Sequence, residues 1–253
     1  MTRKPAAPSN RQGTRLGQRL SEFLAHEMSG GLVLMAAADE IRLVLHGRQT
    51  HGAWPWQGID VISLSSAIVS ELNTIAARTV DVTRTPTVLT ISAINGGVRW
   101  NIIPQDLTML GTLRTFDPEQ RLAIQSRIRE TVRLLAESYG ATADLEFVPH
   151  GVVTYNDPAL AAWALPAMQE AAGGAEHVNP NKIPVMVSED FSYFQQTMPG
   201  LFVHIGASAD GVDPTTSAPN HSPRFLPNES VLPVGVRALT HLTIDYLFGP
   251  TAR

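Results

Sequence analysis

The chain has 253 residues, enough for one large domain or two modest ones, and its 43% hydrophobic and 17% charged residues are typical of a globular protein. Lys and Arg number 19 against 23 Asp and Glu, and the net charge of −4 argues against binding to a nucleic-acid backbone. The absence of cysteine excludes disulfides, thiol nucleophiles and thiolate metal ligands, and it is consistent with the cytoplasmic location that we predict.

The N-terminal part of the sequence predicts neither a secretory signal nor a membrane span. The longest apolar run, residues 31–38, is far shorter than the roughly 18 to 20 residues that a membrane-spanning helix needs. We therefore expect that the protein does not interact with a membrane. Residues 1–30 begin basic and polar and carry apolar residues at helical spacing over 16–28, which predicts a poorly ordered segment or a short helix. Residues 31–39 predict a strand of a larger domain.

Residues 40–149 alternate between the two periodicities of regular structure. Alternating or β-branched residues predict four strands, over residues 41–46, 87–94, 106–116 and 142–148. Apolar residues at helical spacing predict two helices, over residues 59–80 and 117–139, the second with Asp117 as cap and Pro118 in its first position. The order β-α-β-β-α-β is that of a ferredoxin-like domain, in which both helices cover one face of a four-stranded sheet.

Residues 150–253 predict helices and little strand. The predicted helices lie at 157–172, at 191–196 behind a cap formed by residues 188–190, and from Asn228 to about residue 247. A single buried strand is predicted at 201–205, and its backbone groups need a partner, for which residues 31–38 are the obvious candidate. The predicted fold class is therefore α/β, or more broadly α+β, with the ferredoxin-like domain inserted into a larger α/β domain that is present only in part.

Six residues are candidates for chemistry, and each also has an ordinary structural explanation: His51, Gly96, Gly97, Asn101, Arg114 and His221. A guanidinium binds a carboxylate through two hydrogen bonds and an imidazole binds a metal ion, so Arg114 and His221 are candidates for those roles. The alternatives are a solvated strand arginine, an exposed loop histidine, a polar turn at His51 and turn-forming glycines. The sequence contains no GxSxG, HExxH or P-loop motif and no GxGxxG after a strand.

Seven segments, taken in chain order, are together more specific than any single residue. They read AADEIR at 37–42, HGRQTHGAWPWQGID at 46–60, INGG at 94–97 followed by NIIP at 101–104, GTLRTF at 111–116, SEDF at 188–191 and HSPRF at 221–225. This set resembles the M20 metallopeptidase family, in its amidohydrolase branch of N-acyl-amino-acid and hippurate hydrolases. The resemblance covers about residues 31–248.

The resemblance implies a catalytic α/β domain that holds two divalent metals, which are zinc, manganese, cobalt or nickel depending on the member. Residues 40–149 would be the inserted lid, through which the chain forms a homodimer, and residues 31–39 and 150–253 would belong to the catalytic domain. The implied reaction is hydrolysis of the amide bond of a small N-acyl amino acid. A metal-bridging water attacks the carbonyl with a glutamate as general base, because the metals polarise the carbonyl and lower the pKa of the water.

The same resemblance implies a role for each candidate residue. His51 would stabilise the tetrahedral oxyanion, in the partner subunit's site. Asn101 and Arg114 would hold the carboxylate of the substrate, and the glycine pair at 96–97 would let the backbone approach the substrate closely. His221 would be a terminal metal ligand.

Departures from the family pattern shape the expected activity. The upstream segment of the family carries a His-x-His or His-x-Asp motif, a Glu-Glu pair and a further His, and residues 1–30 contain no counterpart. We therefore interpret the sequence as an N-terminally truncated M20-type amidohydrolase with negligible amidase activity, because one matched histidine cannot hold two metals. The alternative is a non-catalytic remnant that dimerises or binds a small carboxylate. Trp56 and Val61 stand where relatives often have His and Pro, and Trp56 is a candidate for shaping an apolar acyl pocket.

Overall fold

The computed structural model describes residues 34–81, 85–180, 183–208, 211–213 and 216–249. The expectations for residues 1–30, and for the start of the strand predicted at 31–39, lie outside these ranges. The described residues form two compact units. The sheet unit comprises residues 34–154 and 184–197, and the helical unit comprises residues 155–183 and 198–249, both within the described ranges.

Four long strands form the main sheet of the sheet unit: β2 (Ala37–His46), β4 (Thr87–Gly96), β6 (Asp106–Thr115) and β7 (Thr142–Gly151). Their order is β4-β6-β2-β7, and every neighbouring pair is antiparallel. Two small sheets pair β1 (Leu34–Met35) with β8 (Thr154–Tyr155) and β3 (Thr50–His51) with β5 (Ile102–Ile103). The four strands that the sequence predicts are all present, and the first of them begins earlier than predicted.

The two helices of the sheet unit, α1 (Val61–Arg78) and α2 (Pro118–Ser138), begin where the sequence provides a capping carboxylate. The side chains of Asp60 and Asp117 each accept hydrogen bonds from the backbone N–H groups at the second and third helical positions. These bonds satisfy N–H groups that a helix leaves without an internal partner. Both helices that the sequence predicts in this region are thus confirmed.

One apolar core lies between this sheet and the two helices. On β6 the inward-facing residues, among them Leu107, Met109 and Leu113, are almost fully buried, as the period-two pattern predicts. Ile68 on α1 and Ile128 on α2 belong to the same core. Burial of one such side chain contributes about 1.5–3 kcal/mol, so this core holds the helices on one face of the sheet.

A buried ion pair ties the beginning of β2 to α2. The carboxylate of Asp39 is 2% exposed and accepts hydrogen bonds from the guanidinium of Arg121 at both oxygens, with Nε at 2.7 Å. Gln125 Nε2 donates to the same carboxylate at 2.8 Å. The sequence assigns residues 37–39 to a strand of the larger domain. In the structure they lie in β2, because their backbone pairs with β6. The division of the chain into a lid and a catalytic domain stays a prediction.

Residues 184–197 belong to the sheet unit and contain one short helical turn, α4 (Phe191–Phe194). The sequence predicts a short helix through Gln196 behind a cap at 188–190. The helix is present but ends at Phe194, and the predicted cap is wrong, because the side chain of Asp190 makes no capping hydrogen bond. Contacts with the rest of the unit fix the segment instead. One of them is the hydrogen bond from the backbone N–H of Val152 to Ser192 Oγ at 3.2 Å.

The helical unit contains α3 (Pro158–Ala172) and α5 (Leu232–Phe248), both of which the sequence predicts. The side chain of Asp157 caps α3, and Gly173, whose φ of 86° lies in the left-handed region, ends it. Asn228 caps the 3₁₀ turn that leads into α5. None of the helices that the structure describes has the length and apolar character needed to cross a membrane.

Residues 201–205 lie within the described ranges and do not form the strand that the sequence predicts. Val203 and Ile205 are 37% and 47% exposed, and the segment runs as irregular chain. The side chain of Asn156 supplies this segment with two hydrogen bonds of the kind that a neighbouring strand would provide. Its Oδ1 accepts from the backbone N–H of Phe202 at 2.7 Å, and its Nδ2 donates to the carbonyl of Phe202 at 2.8 Å.

Candidate functional site

The first group of candidate residues lies on a two-stranded ribbon that continues the β2–β6 ladder beyond the main sheet. His51 on β3 pairs with Ile102 on β5, and the backbone N–H of Gly52 donates to the carbonyl of Asn101 at 2.8 Å. These backbone bonds place Nε2 of His51 3.4 Å from Nδ2 of Asn101. Two residues that lie 50 positions apart in the sequence thereby share one exposed site.

The orientation of the His51 ring is set by its own turn. The backbone N–H of Ala53 donates to Nδ1 of His51 at 3.0 Å, so Nδ1 is the acceptor and the proton of the neutral ring lies on Nε2. In this tautomer Nε2–H and Nδ2 of Asn101 are both donors, so the 3.4 Å contact between them is not itself a hydrogen bond. An oxygen atom that accepts from both nitrogens would relieve this arrangement, and such donors stabilise developing negative charge.

Gly96 and Gly97, at the end of β4, each have a local reason for lacking a side chain. A Cβ atom on Gly96 would lie 3.0–3.1 Å from the side chain of Leu107, and Gly97 has a φ of 78°, which L-residues rarely adopt. The glycine pair thus allows the chain to leave β4 and enter the connection that contains Asn101. These contacts explain the glycines without a substrate, and their approach to a substrate stays a prediction.

Large aromatic side chains accompany the ribbon and are turned to solvent. Trp100, which precedes Asn101, is 97% exposed, and Trp56 is 74% exposed. The ring of Trp54 lies 5.5 Å from that of His51 between centroids. Exposed apolar groups of this kind commonly mark sites of interaction or ligand binding. The predicted contribution of Trp56 to an acyl pocket stays a prediction.

Arg114 lies on β6, on the sheet face opposite the two helices, as the strand pattern predicts. Its Nη1 donates to the backbone carbonyl of Met186 at 2.9 Å, and its Nε donates to Thr112 Oγ1 at 3.3 Å. The side chain is half-buried, and no carboxylate in the described ranges forms an ion pair with it. A half-buried guanidinium in this situation can bind a carboxylate from outside the chain.

The ribbon and Arg114 lie at opposite ends of the sheet. Gly96 pairs with Leu107 at the ribbon end of β6, and Arg114 stands seven residues further along the same strand. At the usual rise of a strand this separation is about 23 Å. The structure therefore brings His51 and Asn101 together, and it does not bring either of them to Arg114 within one chain.

His221 lies in an exposed turn of the helical unit and has a φ of 70°, in the left-handed region. Histidine enters this region more readily than most residues, and strained backbone of this kind clusters at functional sites. In the part of the chain that the structure describes, no group of three or more His, Asp or Glu side chains is arranged to hold a metal ion. The donors present there do not fit the two-metal centre that the resemblance implies, and the role of His221 as a metal ligand stays a prediction.

The contacts of Arg114 are the part of the site that the sequence does not predict. Thr112 stands two residues before Arg114 on the same face of the strand, which the period-two pattern could have indicated. The carbonyl of Met186 is a backbone atom 72 positions away, and no sequence pattern identifies such an atom.

The chain matches the family model of peptidase family M20/M25/M40 over residues 9–245, and it belongs to this family. It is 32% identical over 214 residues to thermostable carboxypeptidase 2 of Saccharolobus solfataricus, covering 84% of this chain and 52% of that protein. It is 30% identical over 216 residues to N-acetylcysteine deacetylase of Bacillus subtilis, covering 85% of this chain and 53% of that protein.

A solved structure shows the same relationship. The Bacillus subtilis YXEP protein, a dinuclear metal binding peptidase from the M20 family, is similar with a TM-score of 0.61 and 27% identity, over 87% of this chain and 52% of that one. The resemblance that the sequence suggests is confirmed at the level of the family and of a mixed α/β fold. The chain spans about half the length of the curated relatives it matches.

Proposed function

We propose that this chain provides the substrate-binding part of an M20-type amidohydrolase that acts on small N-acyl amino acids. The observation that carries the proposal is the half-buried Arg114 guanidinium, which no carboxylate of the described residues neutralises. N-acyl amino acids, and the peptides that carboxypeptidases cut, share a free carboxylate on the amino acid that leaves. Arginine suits this position better than lysine, because its planar guanidinium offers a carboxylate two parallel hydrogen bonds.

In this proposal the ribbon supplies groups for the scissile carbonyl, for the carboxylate and for the acyl group of the substrate. His51 donates from Nε2 to the oxygen of the carbonyl as it becomes tetrahedral, since its Nδ1 already accepts from Ala53. Asn101 shares in holding the substrate carboxylate, and the turn at Gly96 and Gly97 allows the backbone to come close. Trp56 offers an apolar surface for the acyl group.

We further propose a homodimer in which His51 and Asn101 of one chain complete the site that contains Arg114 of the other. The separation of about 23 Å along β6 supports this arrangement, because a small N-acyl amino acid cannot span it. The strand order β4-β6-β2-β7, with α1 and α2 on one face, is the order expected of a ferredoxin-like lid inserted into a catalytic domain.

The metal requirement is proposed from the family. His221 would be one ligand of a divalent metal, such as zinc, manganese, cobalt or nickel, and the remaining ligands would come from outside the described residues. One histidine cannot assemble a two-metal centre, so we propose that the 253-residue chain by itself has negligible amidase activity. The cysteine-free composition supports a cytoplasmic location.

The test is a measurement of binding and turnover on the purified 253-residue protein. N-acetyl-L-leucine is titrated into the wild type and into Arg114→Met, and hydrolysis is followed with zinc, manganese, cobalt or nickel added. We expect Arg114→Met to weaken binding about tenfold or more, because it removes charge-assisted hydrogen bonds, and we expect no turnover. Equal binding by both proteins would contradict the role of Arg114. Turnover that disappears in His221→Ala would contradict the proposed inactivity.

A second candidate function is a non-catalytic module that binds small carboxylates. It is favoured by the fact that the contacts of Arg114 are made within the sheet unit and involve no candidate metal ligand. The two candidates differ in what they recognise beyond the carboxylate. Binding of acetate as tight as that of N-acetyl-L-leucine would favour the second candidate, and a clear preference for N-acetyl-L-leucine would favour the amidohydrolase.

A further inference from the structure

We propose that Thr112 is a positioning residue for Arg114, which holds the guanidinium so that Nη2 faces the substrate carboxylate. This inference rests on the proposed function of Arg114. A guanidinium has five N–H donors, and two of them are engaged here, Nε with Thr112 Oγ1 at 3.3 Å and Nη1 with the carbonyl of Met186 at 2.9 Å. Within the described ranges nothing accepts a hydrogen bond from Nη2, so its two N–H groups and the second N–H of Nη1 remain, and one N–H from each nitrogen can bind a carboxylate.

The position of Thr112 in the sheet explains why its hydroxyl can orient a long side chain. Thr112 and Arg114 share one face of β6, because residues two apart in a strand point the same way. The backbone of Thr112 pairs with Glu40 on β2 and with Thr90 on β4, so the ladder holds it from both sides. A β-branched side chain has few rotamers, and the hydroxyl is therefore presented in a defined direction.

The carboxylate directly across from Thr112 is engaged by other groups. Glu40 accepts a hydrogen bond from Arg42 Nε at 2.7 Å, and its second oxygen lies 3.0 Å from His150 Nε2. The hydrogen bond from Arg42, followed by that from His150, lowers the pKa of Glu40 to about 2. Both oxygens of Glu40 are therefore engaged by Arg42 and His150, and within the described ranges Glu40 makes no hydrogen bond or ion pair with Arg114.

Gly151, the last residue of β7, packs closely against the segment that carries the second anchor of Arg114. A Cβ atom on Gly151 would overlap Oγ of Ser188, which stands two residues after Met186. That Oγ is buried and has no hydrogen-bond partner within the described residues. A side chain at position 151 would have to displace it, and Gly151→Ala therefore tests whether the carbonyl of Met186, two residues away, must stay in place to anchor Arg114.

The experiment compares the binding of N-acetyl-L-leucine with that of N-acetyl-L-leucinamide, which lacks the carboxylate. Both are titrated into the wild-type chain and into Thr112→Val, Thr112→Ser and Gly151→Ala, while the Nε–Hε signal of Arg114 is followed by NMR. Thr108→Val is the matched control, because Thr108 lies on the same face of β6 near its other end. Circular dichroism establishes that each variant is folded, and Thr112→Ala replaces Thr112→Val if the latter is not.

We expect the wild type to prefer the acid over the amide. Thr112→Val should weaken acid binding about fivefold, leave amide binding unchanged and alter the Arg114 Nε–Hε signal, and Thr112→Ser should restore all three. Gly151→Ala should weaken acid binding in the same way, and Thr108→Val should not. Acid binding by Thr112→Val equal to the wild type would overturn this inference and leave the proposed function standing. A wild type that binds acid and amide equally would overturn the proposed function, and the inference with it.

Discussion

The sheet unit and the helical unit differ in how completely they bury their apolar surface. In the sheet unit two helices cover a four-stranded sheet, and large side chains such as Leu43 and Ile128 are fully buried. In the helical unit the buried residues of α3 are alanines, and Leu239 and Tyr246 on α5 are 69% and 78% exposed. Small side chains remove less apolar area from water, and two helices lack the second layer that completes most domains.

This difference teaches where stability and binding reside in the chain. The sheet unit has a closed core, and it also carries His51, Asn101 and Arg114 on defined backbone. The helical unit carries His221 on an exposed turn. We therefore expect substitutions in the sheet unit to lower the free energy of unfolding more than matched substitutions in the helical unit. We also expect ligand binding to depend on the sheet unit.

The largest expected effect comes from breaking the buried ion pair. Arg121→Met leaves the carboxylate of Asp39 buried without its cationic partner, which costs about 3–5 kcal/mol of stability. The matched change is Arg237→Met in the helical unit, which removes a hydrogen bond from Nε to the carbonyl of Ala171 at 3.0 Å and should cost about 1 kcal/mol. Urea denaturation followed by circular dichroism measures both costs. Equal losses of stability in Arg121→Met and Arg237→Met would mean that the sheet unit is not the more strongly stabilised of the two.

A core truncation should sharpen the same comparison. Ile128→Ala removes a fully buried side chain between α2 and the sheet and should cost about 2–5 kcal/mol, because it leaves a cavity. Leu239→Ala removes a side chain that is mostly exposed, and its cost should stay within about 0.5 kcal/mol. Thermal denaturation of both variants checks the expectation. A loss at Leu239 as large as that at Ile128 would show that the helical unit has a core of its own around α5.

The smallest expected effect is a pH dependence of the sheet unit. His46 Nδ1 lies 2.7 Å from Asp106 Oδ1, and its Nε2 lies 3.1 Å from Asp144 Oδ2. The hydrogen bond with Asp106 raises the pKa of His46 most, and the hydrogen bond with Asp144 adds to it. His46 therefore stabilises the folded state fully at pH values below about 6.5, the pKa of histidine in the unfolded chain. This stabilisation is lost as the pH rises through the higher pKa that His46 has in the folded protein. Since the ring is 38% exposed, the effect should stay under about 1 kcal/mol.

The pH prediction is checked by urea denaturation of the wild type and His46→Gln at about pH 5.5 and about pH 8.5. We expect the wild type to lose its advantage over the variant at the higher pH. A difference between the two proteins that stays constant over this range would count against the proposed origin of the effect.

The sequence predicts the sheet unit well and the helical unit only in part, for a physical reason. Periodicity and capping act locally, so β6 and the helix that Asp117 caps follow from residues near them in the sequence. The segment at 201–205 has an apolar run that fits a strand, but its backbone bonds to the side chain of Asn156, which no local pattern reveals. Arg114 is a candidate from its chemistry alone, whereas its contact with Met186 depends on the tertiary fold.

Hydrogen exchange with and without N-acetyl-L-leucine tests most directly whether the sheet unit binds the substrate at Arg114. Saturating ligand should slow exchange in residues 184–192, which carry the carbonyl that anchors Arg114, and it should leave α3 and α5 unchanged. In Arg114→Met the ligand concentration that just saturates the wild type should produce much less slowing, because this variant binds about tenfold more weakly or worse. Slowing that is confined to the helical unit, or that persists unchanged in Arg114→Met, would contradict this account.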